Sequence, residues 1–460
     1  MGSWREIENI SGDYRLMVDG VINHISQFSD WFLAFLAGDD YFEDFFIELD
    51  PTTDLSKVVR PRASPLLSEF IDNDGKIHNI WTTFSKDQVD LNYKNHRVLK
   101  NVLDAMFYYI EKGATLIRLD AIAFIWKELG SECVHLEQTH ELIQLMREVL
   151  HEVAPEVIII TETNVPHHEN VSYFGKGDDE AQMVYNFALP PLLVHSILTE
   201  DTTTLTQWAQ SLELPSNKFC FFNFTASHDG IGLRPVKGIL EDSQIENIEK
   251  TVIQHGGLVS YRAESDGTKT PYELNCSFID ALTHPKEPDT VRIKRMLLAQ
   301  GTTLVMPGVP GIYFHSLVGS RNYHDGVKHS GIKRTINREK YNFDWLEKEL
   351  NQEGKLPKTL FDSYKRLISI RTNEKAFNPF GDFEFYDIHE KIFCLEQTCC
   401  DKKEFVLAIH NFSHENIECE LPVKFTMQLN DLLSNKTITE QKLTLFPYQM
   451  MWLKGTYNDS

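Results

Sequence analysis

Short apolar runs that end in polar residues recur along the first two thirds of the chain. Runs of this kind are typical of strands that are buried on both faces of a parallel sheet. They predict six strands, at residues 14–19, 115–120, 157–162, 183–187, 220–224 and 302–306. Apolar residues at helical spacing predict helices over residues 101–112 and 140–153. Alternating strands and helices indicate an α/β protein with a parallel sheet, and this number of units favours a barrel.

Two stretches depart from this alternation. Residues 30–97 contain many aromatic and turn-forming residues but no strand–helix unit, which indicates an insertion after the first strand. From residue 381 onward, short alternating runs predict the strands of an all-β domain, at 383–386, 392–397, 405–411, 417–421 and 448–453. The predicted domains are the start of a barrel (1–29), an inserted domain (30–97), the rest of the barrel (98–380) and a C-terminal β-sandwich (381–460).

Composition and charge exclude several classes of protein. The 460 residues are 42% hydrophobic and 24% charged, as in ordinary globular proteins, and no apolar run is long enough to cross a membrane. The formal net charge of −22 disfavours binding to nucleic acids or to anionic lipid. The seven cysteines show no CxxC pair and no regular spacing, which indicates reduced thiols in a cytoplasmic protein.

Three of the predicted strands lead into a carboxylate. Asp120 closes the second strand, Glu162 closes the third, and Asp229 follows the fifth. In parallel barrels the carboxyl ends of the strands form the active face, so we expect these side chains to converge. Cleavage of a glycosidic bond with retention needs a carboxylate nucleophile and a protonated carboxyl about 5–5.5 Å apart. Any one of the three would be interpreted as a structural carboxylate, but three at corresponding positions favour catalysis.

Four segments resemble the motifs of the α-amylase superfamily, family thirteen of the glycoside hydrolases. They are VDGVINH at 18–24, GATLIRLDA at 113–121, TETN at 161–164 and SHD at 227–229, in the order of that family. Longer stretches resemble its sucrose phosphorylase-like subfamily, including DPTTDLSKVVRPR at 50–62, WTTFSKDQVDLNY at 81–93 and INREK at 336–340. The resemblance implies a (β/α)8-type TIM barrel and a double displacement that needs neither a cofactor nor a metal.

The resemblance also implies a role for each matching residue. Asp120 would be the nucleophile, Glu162 the general acid/base and Asp229 the stabiliser of the transition state. The side chains implied to bind glucose in the cleavage subsite are His24, Arg118, His228 and Arg338. Of these, Arg118 would also hold the nucleophile ionised.

The shared motifs do not specify what accepts the glucosyl group. Residues 315–340 contain six basic and two acidic residues, in a chain whose overall balance is acidic. Arg321, Lys333 and Arg334 in this segment are therefore candidates to bind phosphate or an acidic acceptor, unless they are merely solvated. With the subfamily resemblance, this favours a phosphorylase that acts on an α-glucoside and inorganic phosphate and releases α-glucose 1-phosphate.

The acceptor leaves several alternatives open. Phe124 stands where sucrose phosphorylases usually carry tyrosine, and residues 118–130 and 135–141 resemble the glucosylglycerate and glucosylglycerol phosphorylase branch. Glucosylglycerate is therefore the first expectation, ahead of glucosylglycerol and sucrose-like compounds. The alternatives are a hydrolase or transglucosidase with the same carboxylates, and an inactive fragment or non-catalytic binding protein of this fold.

The front of the chain departs from the family pattern. Two strands should precede the first motif, yet its strand begins near residue 14, which leaves six strands where a closed barrel has eight. We therefore expect that about 70–90 residues are missing relative to the family. The expected partners are the α-glucoside and phosphate, without nucleic acid or membrane, and a homodimer is compatible with the sequence.

Overall fold

The computed structural model describes residues 2–61, 64–177, 179–263, 269–425 and 428–457. The chain divides into two compact units. The first consists of Met1–Asn164, His168–Tyr185 and Arg262–Thr270, and the second of Val165–His167, Asn186–Tyr261 and Pro271–Ser460. Within the described ranges, no helix combines the length and the apolar character that a membrane span requires.

The first part of the chain forms a parallel sheet with helices between its strands. Its elements are α1 (Trp4–Asp13), β1 (Leu16–Gly20), β2 (His24–Ser26), α2 (Asp30–Leu36), β3 (Leu67–Ile71), β4 (Ile77–Trp81), β5 (Gln88–Asp90), α3 (His96–Glu111), β6 (Ala114–Leu119), α4 (Glu137–Val153), β7 (Ile158–Thr161), α5 (His167–Asn170) and β8 (Met183–Tyr185). Strands β1, β6, β7 and β8 are parallel neighbours in that order. The first four predicted strands are therefore confirmed, with small differences at their ends.

Both predicted helices of this unit are confirmed. Helix α4 covers the predicted 140–153, and α3 covers the predicted 101–112 except its last residue. Helix α3 begins earlier than predicted because Asn95 caps it, with its side chain accepting a hydrogen bond from the backbone N–H of Arg97. The segment 30–97 contains α2 and the antiparallel pair β3–β4, and its last strand, β5, pairs antiparallel with β2, which precedes the segment.

The second part of the chain continues with further helices and strands. They are α6 (Leu189–Thr199), α7 (Thr203–Gln210), β9 (Cys220–Phe224), β10 (Ile231–Gly232), α8 (Asp242–Gln254), β11 (Leu258–Ala263), β12 (Lys269–Asn275), α9 (Phe278–Leu282), α10 (Asp289–Val305), β13 (Val309–Gly311), α11 (Phe314–Leu317), α12 (His324–Ser330), α13 (Phe343–Leu350) and α14 (Leu356–Asn373). Strand β9 confirms the fifth predicted strand, and it pairs in parallel with β13.

The sixth predicted strand, at 302–306, is wrong. Thr302 and Thr303 lie in the last turn of α10, and the strand that pairs with β9 is β13. The hydroxyl groups of these threonines donate hydrogen bonds to the carbonyls of Leu298 and Ala299, one helical turn earlier. The end of α10 is buried on all sides, so its continuous apolar run has no helical periodicity to distinguish it from a strand.

The C-terminal part is antiparallel β structure. Its strands are β14 (Asp382–His389), β15 (Ile392–Thr398), β16 (Glu404–Asn411), β17 (Ile417–Glu420), β18 (Leu429–Asp431), β19 (Lys436–Ile438), β20 (Lys442–Leu445) and β21 (Met450–Thr456). Six of them form one sheet in the order β14-β15-β16-β21-β18-β19, and β17 pairs with β20. The five strands predicted beyond residue 381 are confirmed, and the short strands β18, β19 and β20 were not predicted.

Candidate active site

The parallel register of the first unit brings two of the predicted catalytic carboxylates to the same edge of the sheet. Asp120 follows β6 and Glu162 follows β7, and the last paired residues of these strands are Leu119 and Thr161. The backbone N–H of Glu162 donates to the carbonyl of Leu119 at 3.1 Å, so the chain stays paired where the carboxylates begin. The sequence-based expectation that strand ends place these two side chains together therefore fits the backbone pairing.

Arg118 is the centre of the polar cluster at this edge. Its Nη1 atom lies 2.8 Å from Oδ1 of Asp19 and 2.8 Å from Oδ1 of Asp120. Its Nη2 atom lies 3.8 Å from Oε1 of Glu162, and its Nε–H donates to the hydroxyl of Tyr185 at 3.0 Å. Burial alone would lower the pKa of Arg118, but the surrounding acidic groups, above all Glu162, raise it beyond the usual range. The guanidinium therefore stays charged and fixes the carboxylates around it.

The two carboxylates differ in the donors that hold them. Oδ1 of Asp120 accepts from Arg118, whereas no described residue donates a hydrogen bond to its Oδ2. Oε2 of Glu162 accepts from the backbone N–H of Ala121 at 3.0 Å. Both carboxylates therefore face Arg118, Asp120 at 2.8 Å and Glu162 at 3.8 Å, and Glu162 accepts a backbone N–H in addition. The separation of the two carboxyl groups stays a prediction.

His24 belongs to a buried polar network in the same unit. Lys127 Nζ lies 2.6 Å from Oδ2 of Asp90 and donates to Oδ1 of Asn23 at 2.8 Å. Because the carbonyl oxygen of Asn23 is occupied in this way, its amide nitrogen must donate to Nδ1 of His24, 3.2 Å away. On the other side of the ring, Nε2 of His24 lies 2.8 Å from the amide nitrogen of Gln88. Burial lowers the pKa of His24 and favours its neutral form.

Sequence reasoning missed several members of these clusters. Tyr185, Asp90 and Lys127 were not singled out, although each makes a hydrogen bond or ion pair to a predicted site residue or its neighbour. The ring of Phe84, also missed, lies 5.4 Å from the ring of His24 and 5.5 Å from that of Phe124. The only signal in the sequence was that Phe84 and Asp90 lie within a stretch that resembles the subfamily.

The second unit holds the third predicted carboxylate, Asp229. Arg338 Nη2 donates to Oδ1 of Asp229 at 3.1 Å, and Arg334 Nη1 donates to the same oxygen. Nε2 of His228 lies 3.8 Å from it. None of the residues that the structure describes donates to the other oxygen, Oδ2. The structure thus places His228, Arg334 and Arg338 around Asp229.

The candidate phosphate-binding residues have different protein partners. Arg334 is paired with Glu273 through its Nε and Nη2 atoms, and Arg321 Nε lies 2.6 Å from Oδ1 of Asp280. Lys333 Nζ donates to the carbonyl of Val259 at 2.6 Å. The three side chains therefore do not share one protein partner, although they belong to one short segment.

Clusters of metal ligands and the state of the cysteines complete the description of the side chains. Among the described residues, no group of three or more His, Cys, Asp or Glu side chains could hold a metal ion. All seven cysteines are free thiols, and six of them are buried.

Comparison with known proteins identifies the family. Residues 9–226 match the family described as "Alpha amylase, catalytic domain". The chain is 43% identical over 456 residues to glucosylglycerate phosphorylase of Escherichia coli (strain K12), and the aligned region covers 98% of this chain and 80% of that protein. It is 29% identical over 406 residues to sucrose phosphorylase of Agrobacterium vitis, and the aligned region covers 84% of this chain and 77% of that protein.

A solved structure shows the same fold. The crystal structure of sucrose 6F-phosphate phosphorylase from Thermoanaerobacter thermosaccharolyticum matches this chain with a TM-score of 0.79 at 19% identity, over 97% of this chain and 86% of that one. The resemblance inferred from the four motifs is thereby confirmed. This chain belongs to the α-amylase superfamily and, within it, to the sucrose phosphorylase-like glycoside phosphorylases.

Proposed function

We propose that this chain is a retaining α-glucoside phosphorylase, whose substrates are glucosylglycerate and inorganic phosphate and whose products are α-glucose 1-phosphate and glycerate. The observation that carries the proposal is the Arg118 cluster, in which one guanidinium holds Asp120 beside Glu162. The 43% identity to glucosylglycerate phosphorylase of Escherichia coli (strain K12) supports the choice of acceptor.

The proposed reaction has two displacements. Asp120 attacks the anomeric carbon through Oδ2, the oxygen that Arg118 leaves free, while Glu162 donates a proton to the departing glycerate oxygen. An oxygen of phosphate then attacks the anomeric carbon from the face opposite its bond to Asp120, the phosphate proton passes to Glu162, and Asp120 leaves as a carboxylate. Two inversions give net retention of configuration.

The other candidate residues have supporting roles in this proposal. Asp229 binds sugar hydroxyls through Oδ2 and binds them more strongly as the ring distorts toward the transition state. His24, His228 and Arg338 bind glucose, and the exposed part of the Arg321 and Lys333 side chains receives phosphate or the glycerate carboxylate. These roles follow the family resemblance, and the hydrogen-bond pattern of Asp229 supports them.

We also propose how the chain is organised. The parallel strands of each unit belong to a (β/α)8-type barrel, with residues 30–97 as an inserted domain and residues 381–460 as a C-terminal domain. The free cysteines support a cytoplasmic location. Dimerisation stays a prediction.

A phosphate-dependence assay tests the proposed function. The purified chain is incubated with glucosylglycerate with and without saturating phosphate, and glucose and glucose 1-phosphate are measured separately. The reverse reaction is run from glucose 1-phosphate with glycerate, glycerol, fructose and fructose 6-phosphate as acceptors. We expect phosphate-dependent glucose 1-phosphate release and preference for glycerate. Release of glucose alone would favour a hydrolase, and a folded chain that turns over none of these compounds would contradict the proposal.

A further inference from the structure

Strand pairing holds a buried glutamate directly beside Asp229. Strand β10 pairs antiparallel with β12, and in this register Gly232 lies opposite Glu273. Gly230, which separates Asp229 from β10, has no side chain, and a Cβ atom there would lie 2.4 Å from the carbonyl oxygen of Leu274 and 2.6 Å from Cγ of Glu273. The missing side chain at Gly230 is therefore what allows β12 to approach this closely.

Both carboxylate oxygens of Glu273 accept hydrogen bonds from the same arginine. Glu273 is only 1% exposed, and its Oε1 accepts from Nε of Arg334 at 2.9 Å while its Oε2 accepts from Nη2 of the same side chain. A carboxylate this buried is retained only when it is paired, and a two-point pair also fixes the plane of the guanidinium. The remaining nitrogen of Arg334, Nη1, points at Oδ1 of Asp229.

Two arginines therefore meet on one oxygen of Asp229. Arg338 donates to the same Oδ1 from Nη2 and is anchored separately, since its Nε donates to the carbonyl of His228. Counting formal charges, the cations of Arg334 and Arg338 balance the anions of Asp229 and Glu273. Loss of Glu273 would leave this group with an excess positive charge and Arg334 without its anchor.

We propose that Glu273 is a positioning residue for glucosyl transfer: it holds Arg334 against Oδ1 of Asp229, so that Oδ2 is kept for the sugar. The inference rests on the proposed function, in which Asp229 contacts the substrate. It also changes the expectation for Arg334, which belongs to the sugar-binding machinery instead of the phosphate-binding residues. Its effect on the reaction is therefore the same whether phosphate or water receives the glucosyl group.

A double-mutant cycle tests this inference. Glu273→Gln, Arg334→Gln, the double variant and the control Glu420→Gln are assayed for phosphorolysis and for hydrolysis. Glu420 is a surface residue of β17 whose partner, Lys442, lies 3.1 Å away. We expect Glu273→Gln to lower kcat about tenfold or more in both reactions and to change the KM for phosphate by less than about threefold. The control should match the parent protein.

The double variant separates positioning from independent roles. If Glu273 acts only through Arg334, the double variant should have the kcat of Arg334→Gln within about twofold, because nothing remains to be positioned. It should also melt at a higher temperature than Arg334→Gln, in which Glu273 is buried without its partner. Multiplicative losses of kcat, a Glu273→Gln variant as active as the parent, or a selective rise in the KM for phosphate would each overturn the inference.

Binding of an iminosugar with the glucose configuration distinguishes this inference from the proposed function. Calorimetry with 1-deoxynojirimycin needs neither phosphate nor an acceptor, so it reports on the sugar site alone. If the parent binds it but hydrolyses glucosides without using phosphate, the proposed function fails and the inference is still tested. Glu273→Gln should then weaken binding about tenfold. Unchanged binding in this variant, or a parent protein that does not bind the iminosugar, would contradict the inference.

Discussion

At the scale of single residues, Arg118 donates to Asp19, Asp120 and Tyr185, and the proposed function makes Asp120 the nucleophile. Asp120→Asn keeps the shape of the side chain but cannot form a glucosyl ester. We expect it to abolish transfer to phosphate and to water while the melting temperature changes by only a few degrees, as measured by glucose 1-phosphate release and calorimetry. Measurable turnover that copurifies with the variant through two different columns would exclude Asp120 as the nucleophile.

Glu162→Gln serves as the companion to that variant. It removes the proton donor and leaves Asp120 intact, so only substrates that need protonation of their leaving group should become slow. With a glucosyl donor that has a good leaving group, azide should restore turnover of Glu162→Gln and should not restore turnover of Asp120→Asn. The same response to azide in both variants would contradict the assignment of the two roles.

Tyr185 provides the next prediction. Its hydroxyl accepts from Nε of Arg118, and burial raises the pKa of Tyr185 to about 12, so it remains a neutral acceptor across the working pH range. Tyr185→Phe leaves that buried N–H unpaired, which typically costs about 1–3 kcal/mol. We expect kcat/KM to fall roughly tenfold to hundredfold in kinetics with glucosylglycerate. A variant with parental kcat/KM would mean that the neighbouring carboxylates hold Arg118 in place without the Tyr185 hydroxyl.

Lys333 allows a direct test of whether the basic residues of 315–340 bind phosphate. Among the described residues, its ammonium group donates to the carbonyl of Val259 and to no other partner, which leaves two N–H donors for an anion. Lys333→Ala should raise the KM for phosphate about tenfold and leave hydrolysis unchanged. The matched control is Lys328→Ala, which removes an exposed lysine of the same segment that pairs with Asp325. Equal KM values for phosphate in the two variants would assign Lys333 a purely structural role.

At the scale of elements, the passage from α10 to β13 depends on a glycine. Gly308 has a φ of 123°, and a Cβ atom there would lie 2.1 Å from the carbonyl oxygen of Phe221. The clash involves backbone of β9, which cannot move without breaking its pairing with β13. Gly308→Ala should therefore lower the free energy of unfolding by about 2–4 kcal/mol, from overpacking and an unfavourable backbone conformation together.

The control for that variant lies in α1. Gly12→Ala adds a methyl group where no atom lies within 4 Å, in a helix, where alanine is favoured by up to about 1 kcal/mol. Denaturant unfolding of both variants should show a decrease for Gly308→Ala and no decrease for Gly12→Ala. Similar losses in the two variants would contradict the proposed clash with Phe221.

Elements also show where sequence reasoning succeeds and fails. The strands that lead into Asp120 and Glu162 were predictable, because a buried parallel strand has a local sequence pattern. That pattern is an apolar run that ends in a polar residue. The end of α10 was not predictable, because burial on all sides removes the helical period. The partners Tyr185 and Glu273 lie 67 and 61 residues from Arg118 and Arg334, and a contact created by folding leaves no local pattern at that separation.

At the scale of the whole molecule, buried histidines link stability to pH. His410 is fully buried, and the indole N–H of Trp452 donates to its Nε2 at 3.0 Å. Oγ1 of Thr302 lies 2.8 Å from its Nδ1 and donates its own proton to Leu298, so it accepts from Nδ1–H. A second proton on the ring would face the indole N–H. Burial accordingly lowers the pKa of His410 to about 3.

Four further histidines have lowered pKa values, each with burial as the first cause. They are His24, His195, His255 and His315. In the unfolded chain a histidine binds a proton near pH 6.5, whereas these buried rings resist it until lower pH. Between those two values the unfolded state holds more protons, so the free energy of unfolding must fall as the pH falls.

We therefore expect acidification below about pH 6.5 to destabilise the protein. For His410 this pH dependence of stability extends from about pH 6.5 down to about pH 3. Inside that pH range one such group contributes a slope of about 1.4 kcal/mol per pH unit to the free energy of unfolding.

Partial neutralisation of the net charge of −22 opposes this destabilisation. Denaturant unfolding is therefore best measured between pH 7 and pH 5 in about 0.15 M salt, which screens surface charges. His410→Gln should lose about one such slope relative to the parent, whereas the exposed control His329→Gln should keep it. Parallel slopes in all three proteins would mean that His410 does not couple protonation to folding.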